Sequence, residues 1–234
     1  MSDGFNGVAA ARIAALSVVA LLPQLAVAGP DWLETTDAGS VIATAQVPSR
    51  PFGAAGLTSI AGSLSQGLTQ PDYEDLYFIR VLIPTAFSVR PAFADFNVVV
   101  YLFNITVNGE GYGFLANDDE STSSTLPKLR HQSDDGTQVI LVFPGDYVLG
   151  ITGAGRVPVS RTGPMFNFAS NTEVSGPDGP GGLNPLQGWS GVGETGRYGF
   201  TLEATDFPAV PAPGAAVAML AVAGVAVSRR RRGK

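Results

Sequence analysis

The 234-residue chain contains no cysteine and a single histidine, His131. The first absence excludes disulfides, thiolate metal sites and cysteine nucleophiles, and the second excludes sites built from several imidazoles. Charge is sparse as well, at 15% Asp, Glu, Lys and Arg, against about a quarter in an ordinary soluble domain. Between Asp31 and Asp206 no stretch shows the 3.6-residue apolar period of an amphipathic helix. A serine nucleophile needs a base, and His131 lies in the polar run Lys128-Leu129-Arg130-His131-Gln132-Ser133-Asp134, which reads as a surface loop. The elbow pattern G-x-S-x-G is missing, since Gly188-Trp189-Ser190-Gly191 is followed by Val192. The glycine runs lack the Lys-Ser/Thr and the helix of a phosphate loop. Together these absences argue against most kinds of enzyme, and no catalytic residue is assigned.

What the chain has in quantity is glycine (29) and proline (17), with many β-branched and aromatic residues. That composition favours strands and turns. Leu76 to Ile83 and Phe96 to Phe103 are the clearest strand candidates, bounded by Pro, Asp and Asn. Val41 to Val47, Leu57 to Leu64 and Arg197 to Glu203 are further candidates. Val139 to Phe143 and Tyr147 to Thr152 flank Pro144-Gly145-Asp146 and read as a hairpin. The expected fold is mostly β, an antiparallel β-sandwich or jelly-roll spanning residues 29–207. Residues 153–196 are rich in Gly and Pro and read as a long loop or flexible insertion, with one short strand near Met165 to Ala169. Trp189 has two readings, pinning that insertion to the domain or contacting a partner.

The two ends read as processing signals. Arg12 precedes an apolar run, Ile13 to Leu22, and Ala26-Val27-Ala28 supplies small residues before Gly29, so residues 1–28 are expected to be a signal peptide cleaved after Ala28. At the other end, within 208–234, Val210-Pro211-Ala212-Pro213-Gly214 leads into the apolar run Ala215 to Val227 and then Arg229, Arg230, Arg231 and Arg232. As a helix that run covers about 20 Å of a roughly 30 Å hydrocarbon layer, a marginal anchor with its arginines on the cytoplasmic side. Without both ends, residues 29–210 keep 8 Lys and Arg against 19 Asp and Glu, a formal charge of −11. Such a surface disfavours nucleic acid and favours divalent cations.

The tail, through Pro211, Pro213, Gly214 and the arginine cluster, resembles the PEP-CTERM sorting signal, although Ala212 stands where that family usually has Glu. The resemblance implies export, a transient membrane anchor, trimming by an exosortase-like membrane protease, and release to the cell surface or extracellular matrix. The order of features in the domain resembles the bacterial pre-peptidase C-terminal (PPC-like) β-sandwich family: an acidic start, Leu57 to Leu64, Asp72 and Asp75 before a Tyr/Phe strand, Asn117-Asp118-Asp119, and Pro144-Gly145-Asp146-Tyr147. Such modules are generally non-catalytic, and some bind calcium through an acidic N-terminal segment and a D-x-x-D before a strand. The resemblance puts Asp31, Glu34, Asp37, Asp72 and Asp75 in those places. Read from the residues alone, the acids at Asp72, Asp75, Asp118 and Asp119 admit turn capping and solvation, calcium ligation, or a paired-carboxylate hydrolase.

The expectation is therefore a non-enzymatic surface or matrix protein with calcium as the candidate ion. Its expected partners are the export machinery, the sorting protease and surface polysaccharide. A carbohydrate-binding module and a secreted hydrolase are the alternatives.

Overall fold

A computed structural model describes residues 29–51, 53–67 and 71–209. The cleavage residues Ala26 and Ala28, and the sorting residues Pro211, Pro213, Gly214 and Arg229 to Arg232, lie outside the described residues, as do both terminal hydrophobic runs.

The chain is mostly β, with two single-turn 3₁₀ segments and no α-helix among the described residues. In chain order the strands are β1 (Trp32–Leu33), β2 (Ser59–Ser63), β3 (Glu74–Val81), β4 (Ser88–Ala94), β5 (Val98–Ile105), β6 (Gly111–Asn117), β7 (Leu129–Arg130), β8 (Gly145–Gly153), β9 (Val157–Ser160), β10 (Gly163–Pro164), β11 (Val174–Ser175), β12 (Gly188–Ser190), β13 (Arg197–Glu203) and β14 (Thr205–Asp206). One sheet runs β1-β2-β13-β4-β7, a second runs β11-β6-β5-β8-β3-β14, and a small third sheet runs β10-β9-β12. All named strand pairs are antiparallel except β1 on β2.

The period-2 alternation of β3 divides its side chains between two cores. Tyr77, Ile79 and Val81 join Val100, Leu102, Leu149 and Ile151 of their own sheet and Ile60, Val89, Tyr198, Phe200 and Leu202 of the five-stranded sheet in one buried cluster. Leu76 faces the other way, into a second cluster with Tyr101, Phe103, Val148, Met165 and Phe166, against which Trp189 packs. Segment 153–196 covers this outer face.

Several expectations need correction. Segment 153–196 is not a structureless insertion: it contributes β9 to β12 and buries Met165 and Phe166, which form no strand. Trp189 pins it down, donating Nε1–H to the Ser40 carbonyl at 2.7 Å and meeting Tyr101 and Phe103 edge-on. Val41 to Val47 is not a strand. Gly39 turns the chain at φ +79°, Ile42–Thr44 form a 3₁₀ turn, and only Gln46 bridges to Tyr77. No hairpin forms at Pro144-Gly145-Asp146, because β3 and β5 occupy both edges of β8. Val139 to Phe143 is left with the single bridge Gln132↔Ile140. Strands β4 and β6 were not expected. Pro91 lies beside a register shift against β13, where β7 no longer pairs with β4. In β6, Gly113 leaves room for the Phe166 ring, which a Cβ would meet at 3.0 Å.

Candidate metal centre

At the strand ends where β3 begins, three carboxylates from separate segments converge. Glu34 follows β1, and its backbone N–H donates to the Ala61 carbonyl. Asp72 is held by two backbone hydrogen bonds with Ser65, at 2.9 and 2.8 Å. Asp75 belongs to β3 and shares the inward parity of Tyr77 and Ile79, so the strand delivers a carboxylate to the edge of the inter-sheet core, fully buried. One carboxylate oxygen of each residue lies within 4.8 Å of those of the other two.

The surrounding donors fix the group. Ser63 N–H donates to Glu34 Oε2 at 2.8 Å, and Ala38 N–H donates to Asp75 Oδ1 at 3.2 Å. Tyr198 donates to Asp75 Oδ2 at 2.5 Å, and Tyr77 Oη lies 2.7 Å from Tyr198 Oη. A hydroxyl has one proton, so with Tyr198 turned to Asp75 the chain runs Tyr77 to Tyr198 to Asp75. Burial and the neighbouring Asp75 charge push both tyrosines upward, which keeps them neutral donors. Gly62 makes the space: a Cβ there would run into the Tyr198 hydroxyl and the Glu34 carboxylate.

No ion pair reaches the three acids among the described residues. Arg156 is committed to Glu74, at 2.8 and 3.0 Å, and Arg197 to Asp95. The carboxyls are consequently pushed toward their protonated forms. Burial, then the charges of Asp37, Glu34 and Glu74, push Asp72 up to about 7. Burial, then Glu34 and Asp72, push Asp75 up to about 9 against the opposing hydrogen bonds from Tyr198 and Ala38. Glu34 is also raised, chiefly by burial. A hard cation, which takes carboxylate and carbonyl oxygens from several loops, would relieve this crowding of acids. The donor set fits such an ion: all oxygen, anionic when deprotonated, and without a competing cation among the described residues.

Of the five acids expected to bind metal, then, Glu34, Asp72 and Asp75 are brought together. Asp37 is close enough to raise Asp72 and Glu34, but its carboxylate closes a turn on Gly39 N–H at 2.6 Å. Asp31 is elsewhere, accepting from Thr58 N–H and Oγ1, each at 2.7 Å, and from Ser59 Oγ at 3.2 Å. Partial burial raises its pKa, but those bonds outweigh it and hold the carboxyl below its usual value. Its role is to tie the N-terminal segment to β2.

A second acidic site sits at the end of β6. Asp118 is pushed up to about 6 by burial, then by Asp119 and Glu194. The Oδ1 atoms of Asp118, Asp119 and Asn97 are buried without a hydrogen-bond partner. Asp118 and Asp119 are legible in the sequence as an acidic pair; the nearness of Glu194 is not, because it arrives from the segment after β12. His131 lies next to β7, which pairs with Ser88 and Val89 at the start of β4, toward the opposite strand ends from Glu34, Asp72 and Asp75. No protein-family model, curated protein or solved structure matches this chain significantly.

Proposed function

We propose that the chain is a non-enzymatic exported protein of the cell surface or extracellular matrix. In this reading its domain is a PPC-like β-sandwich stabilised by calcium at Glu34, Asp72 and Asp75, and its tail is a PEP-CTERM-like sorting anchor. The convergence of three buried or half-buried carboxylates from three chain segments, without a basic partner among the described residues, carries the calcium part of this reading. The shared core of the five- and six-stranded sheets supports the sandwich. The apolar run Ala215 to Val227 between a Pro-rich stretch and four arginines supports the anchor, with the export machinery and a membrane sorting protease as partners.

The carbohydrate-binding alternative is less well supported. Both tryptophans are packed against the cores and bond their indole N–H groups inside the fold, Trp32 on Gln46 Oε1 at 3.0 Å and Trp189 on Ser40, so neither is among the exposed large hydrophobic residues. A hydrolase needs a group that accepts a proton beside a substrate, and Asp75 is wholly enclosed.

The test is thermal unfolding of the full chain in mild detergent with calcium, magnesium or chelator. Calcium binding to the folded state alone raises stability by about 2.7 kcal/mol at a hundredfold excess over Kd. Magnesium, which keeps its waters and demands a tight octahedron, is expected to do much less. Equal midpoints in calcium and chelator would remove calcium from the proposal and return these acids to the role of proton-sharing core groups.

A further inference from the structure

The strand ends opposite the acidic group carry a different chemistry. The registers Val81↔Gly145 and Asn104↔Tyr147 bring the segment after β3, the β5–β6 turn and the segment before β8 to one edge of the six-stranded sheet. There Ile83 is 57% exposed, Val107 fully exposed, Val142 60% and Phe143 74%, and Leu82 joins them. Two hollows of about 430 and 420 Å³ flank the turn, one lined by Ile42, Phe78 and Val107, the other by Ile140, Val142 and Phe143. So many bare aliphatic and aromatic side chains on one edge mark a surface that something covers.

The path of the chain indicates what covers it. Strand β14 pairs Thr205 with Val81, and Ala209 N–H donates to Asp146 Oδ1 at 3.2 Å, so the described chain ends beside Asp146 at the start of β8. Five residues, 210–214, then separate Ala209 from the apolar run that starts at Ala215. Fully extended, the six steps from Ala209 to Ala215 reach no further than about 22 Å. If that run is seated in a bilayer, this edge is held against the lipid headgroups. Nearby charges are largely neutralised in pairs, Arg80 with Asp146 and Arg50 with Asp206, although Glu110 has no ion-pair partner among the described residues. The carboxylate cluster lies at the far end, away from any anionic lipid.

We propose that Leu82, Ile83, Val107, Val142 and Phe143 form a membrane-resting face that dips into the lipid interface while the chain is held by its tail. The inference rests on the anchored-tail reading and adds an orientation: apolar edge on the bilayer, carboxylate cluster pointing outward.

Because the chain has no cysteine, single Val107→Cys, Phe143→Cys and Val192→Cys variants of the full chain can each carry one environment-sensitive dye. Val192 is exposed and lies next to Gly155, beyond the far end of β8. The proteins are reconstituted with phosphatidylcholine vesicles, floated on a density gradient, and read for emission and for quenching by lipids brominated near the headgroup. The expected result is co-flotation, with blue-shifted and quenched dyes at 107 and 143 and an unshifted dye at 192. A Phe143→Ser change should reduce the shift at 107 without lowering the unfolding midpoint. Co-flotation with the same emission at all three sites overturns the inference and leaves the anchor intact. Failure to float overturns both. A shift at 107 and 143 that needs a co-reconstituted membrane protease assigns the face to a protein and overturns the lipid proposal.

Discussion

Tyr198 of β13 donates its hydroxyl proton to Asp75 of β3 at 2.5 Å, a hydrogen bond that crosses from one sheet to the other. It links the inter-sheet core to the carboxylate group, because the same hydroxyl lies 2.7 Å from Tyr77 Oη. Replacing Tyr198 by Phe keeps the ring and its packing on Phe200, but leaves Asp75 Oδ2 and the Tyr77 hydroxyl short of a buried partner. The expected loss is about 1–3 kcal/mol, the cost of a stranded buried polar group, measured by urea unfolding. An unchanged midpoint would mean that water reaches Asp75 and replaces the phenol.

The pH dependence of stability follows from the raised acids. A carboxyl that holds its proton more tightly in the folded chain than in the unfolded one stabilises the fold in its protonated form. That contribution is complete below the ordinary carboxylate range of about 4. It is lost as pH rises through about 7 for Asp72 and about 9 for Asp75. In chelator the unfolding midpoint is therefore expected to fall between about pH 5 and pH 9. Calcium, which needs the ionised form, should flatten this fall and release protons on binding, detectable in a weakly buffered titration. Asp72→Asn should flatten it even in chelator, by removing one of the repelling charges. A midpoint that rises over this range in chelator contradicts the assignment.

How far the sequence led can be judged residue by residue. Asp72 and Asp75 just before an apolar strand were legible as a pair, since β3 has the run and the period to place them. Glu34 was legible as part of an acidic segment, but its neighbours Asp31 and Asp37 were not separable from it. What separates them is where the fold carries each carboxylate: Asp31 is taken by Thr58, Asp37 by Gly39 two residues on, and Glu34 by Ser63 beside Asp75. Strand β6 was hidden by Gly111 and Gly113, whose missing side chains serve Ile42 and Phe166 from distant segments. Val139 to Phe143 looked like a strand because it is apolar. Its exposed Val142 and Phe143 belong to the edge where the chain leaves the domain.

Trp189 is expected to hold segment 153–196 in place. Trp189→Ala removes the edge contacts with Tyr101 and Phe103 and the hydrogen bond to Ser40. Large aromatic-to-Ala truncations in packed sites cost about 3–5 kcal/mol. Part of that cost should appear locally, as protease cleavage within 153–196 at conditions where the parent resists. Cleavage that begins in β3 or β5 instead would show that the segment unfolds only with the whole domain.

Glu74 and Arg156 supply the last prediction. Glu74 is nearly enclosed, and Arg156 meets it through Nε at 2.8 Å and Nη2 at 3.0 Å, a two-point contact that a lysine cannot reproduce. The guanidinium also lies over the Tyr73 ring, 5.4 Å from its centroid, and it donates through Nη1 to the Gly191 carbonyl at 2.6 Å. One side chain thus joins the start of β3, the end of the 153–196 segment and the acidic strand ends. Arg156→Ala leaves Glu74 buried and uncompensated, and breaking such a pair from one side costs about 3–5 kcal/mol. It also adds one more unneutralised carboxylate close to Asp72, whose pKa already feels the Glu74 charge. The variant is therefore expected to unfold earlier in chelator, with the deficit larger at pH 8 than at pH 5, and the double change Arg156→Ala with Glu74→Gln should recover part of it. If the double variant is no more stable than Arg156→Ala alone, the arginine acts through its contacts with Tyr73 and Gly191, and the charge on Glu74 is not what it neutralises.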